Sequence, residues 1–157
     1  MTALAALLAS VACAATPVHG EPLPKSGSLS QLKWVQATPR RAGIVGMLFA
    51  YDAKIAGEPP VFSLWAGGKA PPPGPSQKIL WIVRNTHAHG ALVVRGRQLG
   101  HPVSFQASFM RVYDASAKPA EGLEYASIIE VPNAGCWRLD VATGGAKGSL
   151  VVQVVEP

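Results

Sequence analysis

The residues best suited to chemistry fall in four groups. His87 and His89 stand as His-x-His. On an extended segment both rings point to one side, about 7 Å apart by strand rise. Imidazoles so placed suit Cu or Zn, with His101 and Met110 as further ligands if the fold brings them near. The plainer reading is an exposed polar turn. Cys136 begins the run Cys136-Trp137-Arg138-Leu139-Asp140. Strict alternation sets its sulfur beside Arg138 and Asp140, where positive charge favours the reactive thiolate. A twist at the strand start would instead bury it as a small hydrophobe, and that is the reading adopted.

Arginines make the third group: Arg84, Arg95, Arg97 and Arg111. Arg95 and Arg97 share a strand face by period two. A hairpin of residues 78–84 with 91–99 would bring Arg84 towards them. Such a cluster suits bidentate hydrogen bonds to a carboxylate or phosphate polymer. It equally suits a solvated sheet face that discourages edge pairing. The fourth group is Trp65 beside the Pro-rich stretch 67–76. An aromatic next to a stiff loop can form a platform for sugar rings or a peptide. Otherwise it is a core Trp closing one end of the domain.

Motifs of known enzymes are absent from the chain. There is no G-x-S-x-G elbow, H-E-x-x-H helix, P-loop or dinucleotide fingerprint. The nine acidic residues are dispersed, with no spacing that marks a general acid–base pair. The expectation is therefore a non-enzyme with no cofactor and no catalytic residue.

The elements that would position these residues are short strands. Residues 43–51 and 78–84 (KILWIVR) are apolar on both faces, as in buried strands. Residues 103–113 alternate Phe105, Ala107 and Phe109 with Ser104, Gln106 and Ser108, giving one wet face. Strands are also expected at 61–66, 91–99, 123–131, 136–142 and 149–156. In the stretch at 136–142, Trp137, Leu139 and Val141 should face the core. The prolines of GGKAPPPGPS at 67–76 exclude a ladder strand there. With 16 Gly and 14 Pro, turns are frequent, and no stretch after residue 20 shows a helical period. About eight strands at this spacing indicate an all-β, immunoglobulin-like antiparallel sandwich over residues 43–157.

The N-terminal part reads differently. Leu4 to Ala15 (LAALLASVACAA) is apolar, too short to span a bilayer, and ends in small residues. It reads as a signal segment over residues 1–15, with Ala12-Cys13-Ala14 as the cleavage pattern. Cys13 allows a second reading, a lipid anchor, although Ser10 stands where such signals usually carry Leu. Residues 16–42 read as a linker, with Glu21 to Ser30 mobile and Trp34 anchoring its end. If Cys13 is removed or lipidated, Cys136 is the single thiol and no intramolecular disulfide can form. Export to a periplasmic, envelope or extracellular location is expected.

The block VPNAGCWRLDVATGGAKGSLVVQVV resembles the end of many bacterial immunoglobulin-like domains. There a Pro turn and a Gly precede an aromatic residue that makes a corner contact with nearby backbone. Trp137 occupies that place. With GIVGMLFAY, SLWAGG and KILWIVR, the chain is similar to a family of exported bacterial proteins of uncharacterised activity. The resemblance covers most of residues 43–155 and implies fold and export, with Cys136 and Trp137 in structural roles. The formal charge is +5, and residues 1–20 carry none of it. A basic exported domain favours an anionic envelope polymer or a protein partner. The bases are scattered, with no run suited to nucleic acid. Membrane contact is expected only through the anchor at Cys13. The alternative function is a Cu or Zn module built on His87 and His89.

Overall fold

The computed structural model describes residues 12–24, 29–112 and 122–157. Most of the expected signal segment, part of the expected mobile stretch and the polar loop expected at 114–122, save Gly122, lie outside them. The described residues form nine strands. These are β1 (Lys33–Gln36), β2 (Ile44–Leu48), β3 (Ser63–Trp65), β4 (Lys78–Val83), β5 (Leu92–Gln98), β6 (Ser104–Phe109), β7 (Leu123–Ile128), β8 (Gly135–Thr143) and β9 (Ala146–Val155). A short α-helical turn, α1 (Ala53–Ala56), is capped by Asp52, whose carboxylate accepts from Lys54 N. The strands make two sheets, one ordered β1-β2-β4-β7 and the other β3-β9-β8-β5-β6. The first is antiparallel throughout, and in the second only β3, running with β9, is parallel. The protein is an all-β sandwich.

Period-two alternation builds the shared core. Val35, Ile44, Ile79, Trp81, Val83 and Tyr125 point inward from the four-stranded sheet. Leu92, Val94, Trp137, Leu139, Val141, Leu150 and Val152 meet them from the five-stranded sheet. Two glycines make room for rings. A Cβ on Gly46 would crowd Trp81, and one on Gly96 would overlap Phe105, which packs 5.6 Å from Trp137 between ring centroids. Several buried polar groups find partners within a sheet or between the two. Trp81 Nε1 donates to Ser127 Oγ at 2.8 Å. Tyr125 Oη donates to Gly90 O, and Thr143 Oγ1 donates to His89 O.

The four-stranded sheet is apolar on its outer face too. Trp34, Val45, Met47, Leu80 and Ile82 form a second buried cluster, closed by Leu23, Leu29 and Leu32. This explains why residues 43–51 and 78–84 lack alternation. It also corrects the linker expectation. Residues 16–42 contribute β1 and the cover of this sheet, and Leu23 is only 5% exposed. Trp34 Nε1 donates to Glu21 O at 2.8 Å, and the His19 ring stacks on Trp34. Burial of these apolar groups holds the segment.

Ahead of it, residues 13–18 run against the edge of β9. Thr16 N donates to Val151 O, Val151 N donates to Thr16 Oγ1, and Phe62 N donates to Thr16 O. Cys13 is joined to Cys136 by a disulfide, with Cα atoms 5.4 Å apart and 123 residues between them in sequence. The expectation of a lone, buried thiol at Cys136 is therefore corrected. Alternation holds at the strand start, so Cys136 faces outward, and the N-terminal segment crossing that face supplies its partner.

Candidate functional site

The outer face of the five-stranded sheet is the polar counterpart of the covered one. On β5, Leu92, Val94 and Gly96 turn inward, which sends Arg95 and Arg97 outward. On β8 the same alternation sends out Arg138 and Asp140. Register sets Arg95 opposite Asp140 and Arg97 opposite Arg138 on one side, and Arg95 opposite Gln106 on the other. Arg95 Nε donates to Gln106 Oε1 at 2.8 Å, and Arg138 Nε pairs with Asp140 Oδ1 at 2.9 Å. Both members of that ion pair are substantially exposed, so it contributes little to stability. Like charges directly opposite on neighbouring strands repel, so Arg97 and Arg138 raise the local positive potential.

Two grooves flank Arg138. One, of about 450 Å³, runs beside the N-terminal segment and is lined by Thr16, Gln36, Arg40, Arg138 and Val151 among others. The second, of about 380 Å³, lies between Pro39, Arg95, Arg138, Asp140 and Lys147. Thr38 and Ser149 belong to both, and their backbones pair reciprocally through N–H and carbonyl groups. Arg40, Arg95, Arg97, Arg138 and Lys147 thus share this region with Asp140. Such a surface can attract and hold a flexible anionic chain by charge-assisted hydrogen bonds. At the far end of the first groove, His19 Nδ1 lies 3.0 Å from Glu21 Oε1. The Glu21 carboxyl is held below its ordinary range, chiefly by a hydrogen bond from its own backbone N–H and also by His19.

Arg95 and Arg97 are thus brought together, joined by Arg40, Arg138 and Lys147, which sequence reasoning did not single out. For Arg138 a signal existed, since alternation set it on the Cys136 face. Arg84 is elsewhere. β4 and β5 lie in different sheets, so residues 84–91 cross between layers rather than forming the expected hairpin. Arg84 donates to Pro24 O at 2.7 Å, on the side of the N-terminal cover. Arg111 bridges to Tyr125, away from the grooves. Trp65 is half-buried at the end of β3, opposite Val155, four strand positions from Val151 on β9, the nearest lining residue of the first groove on that strand. By strand rise that is roughly 13 Å from the nearer groove. Its backbone N–H donates to Gln77 Oε1, while its buried Nε1 has no partner among the described residues.

The histidines do not converge. His87 and His89 are exposed in the crossing segment, where Asn85 Oδ1 accepts from His87 N and the hairpin after β8 packs against them. His101 lies past the Gln98 end of β5, and Met110 lies level with the Leu92 end. The two suggested third ligands therefore stand at opposite ends of one strand. Among the described residues no group of three or more His, Cys, Asp or Glu is placed to hold a metal ion. Trp137 Nε1 donates to Asn133 O at 2.9 Å, tying β8 to the turn before it.

Comparison with known families and structures decides little. No protein-family model, curated protein or solved structure matches this chain.

Proposed function

We propose that this is an exported, non-catalytic immunoglobulin-like domain that binds an anionic component of the cell envelope on the outer face of the five-stranded sheet. The observation that carries the reading is the meeting of two grooves at Arg138, with Arg40, Arg95, Arg97 and Lys147 around it. The apolar segment Leu4–Ala15 supports export, and so does the Cys13–Cys136 bond, since disulfides persist in oxidising compartments. The strand order supports the immunoglobulin-like topology. β3 runs parallel to the last strand, β4 pairs with β7 in one sheet, and β5 pairs with β8 in the other. The Trp137 indole bond to backbone four residues upstream supports it as well.

The test is co-sedimentation of the oxidised protein with purified bacterial envelopes at low and high salt. Binding is expected, and it should fall steeply as salt screens exposed charge. Replacing Arg95 and Arg138 with Ala should weaken it by about tenfold or more, roughly the loss of one or two charge-assisted hydrogen bonds. Recovery equal to that of a heat-denatured control would sink the reading.

A further inference from the structure

The disulfide constrains where an exported chain is cut. Small residues stand at several places near the end of the apolar segment, so Ala12-Cys13-Ala14 by itself points to cleavage after Ala14. That cut would discard Cys13. Cys136 would remain as an unpaired, half-buried thiol on an outer face, and the crossing of that face would lose its covalent tie. The fold uses Cys13, and it uses Thr16 in three hydrogen bonds only three residues later. Ala12, by contrast, is exposed. Two positions further back, Ser10 and Ala12 are the small residues that a signal peptidase needs three places and one place before its cut.

We infer that processing occurs between Ala12 and Cys13, and that the mature chain begins with a Cys13 whose sulfur is bonded to Cys136 and carries no lipid. The inference rests on the export reading above. In the first step the peptidase hydrolyses the Ala12–Cys13 peptide bond. Water supplies the hydroxyl of the Ala12 carboxyl group and a proton to the new Cys13 amine. In the second, the Cys13 and Cys136 thiols give up two protons and two electrons to the disulfide of a thiol oxidant in the same compartment. That oxidant leaves as a dithiol. One sulfur cannot hold a lipid thioether and a disulfide together, so the bond excludes the anchored form.

The test is intact-mass and N-terminal analysis of the full chain expressed in a bacterium with a periplasm. The expected product is periplasmic, begins at Cys13, and weighs two hydrogens less than reduced residues 13–157. It should accept two alkyl groups after reduction and none before. A product beginning at Ala15 overturns the inference, as does a Cys13 product carrying a diacylglyceryl mass. Both outcomes leave export standing. A full-length chain retained in the cytoplasm overturns the export reading and the inference with it. Ala14→Leu adds a readout that does not depend on folding. It removes the small residue needed for cleavage after Ala14, yet processing after Ala12 should continue unchanged. Accumulation of uncleaved, membrane-associated A14L precursor would overturn the inference.

Discussion

On the outer face of the four-stranded sheet, Val45, Met47, Leu80 and Ile82 lie beneath Leu23, Leu29 and Leu32. On the outer face of the five-stranded sheet, Arg95, Arg97, Arg138 and Asp140 meet solvent. One chain segment serves both. Residues 13–18 edge the open face, and residues 19–24 and 29–32 lie on the other side, where Leu23, Leu29 and Leu32 cover it. The contrast separates two uses of a sheet surface. A face that is covered contributes to stability through buried apolar area. A face left polar contributes little to stability, and its charges are free to meet a ligand.

The comparison predicts opposite responses to mutation. Trp34→Ala should cost about 3–5 kcal/mol, because it empties the centre of the covered cluster and loses the indole bond to Glu21. Urea denaturation measures the loss, and envelope binding of the folded variant should not change. A cost under about 0.5 kcal/mol, typical of exposed sites, would mean that the cover is not part of the fold. Cys13→Ser should cost about 2–5 kcal/mol under oxidising conditions, because a long loop in the unfolded chain is no longer closed. The wild-type protein in reductant should match it.

The open face should behave in the reverse way. Arg95→Ala with Arg97→Ala should change stability by no more than about 0.5 kcal/mol, since both side chains are exposed. Replacing the pair also relieves the repulsion between Arg97 and Arg138, which face each other across the strands. Envelope binding should nonetheless fall about tenfold, with a shallower salt dependence. Equal loss of stability on both faces would erase the distinction between them.

The sequence pattern made the open face easier to read than the covered one. In β8, Trp137, Leu139 and Val141 alternate cleanly with Arg138 and Asp140, and the burial follows that pattern. In β2 and β4 the absence of alternation signalled two apolar neighbours, but not which chain segment formed the second. Leu23, Leu29 and Leu32 are spaced without a strand or helix period, among Pro, Gly and Ser, so nothing local marked them as a cover. β1 is four residues long, too short for alternation to declare it. The Cys13–Cys136 bond depends on contact across 123 residues, which neither spacing nor composition encodes. Arg95 and Arg97 were legible as a pair because they share a strand. Their meeting with Arg40, Arg138 and Lys147 depends on sheet order, and so does the exclusion of Arg84.

The point where the segment changes sides offers the smallest effect and the finest test. His19 edges the groove of the open face, its ring stacks 4.1 Å from Trp34 of the covered face, and Glu21 follows two residues later. The Glu21 carboxyl is lowered from an ordinary value of 4.5, first by its own backbone N–H and then by the His19 side chain. A lowered carboxyl favours the folded state while it is ionised. That contribution is fully present above the unfolded value and disappears as pH falls through the lower, folded one. Glu21→Gln should therefore be slightly less stable than wild type near neutral pH, and the two urea midpoints should converge in acid. The carboxylate is fully exposed, so salt should shrink the gap as well. A gap that persists at low pH would place the effect in packing of the turn rather than in charge. The join between the two faces would then be held by Trp34 and its neighbours alone.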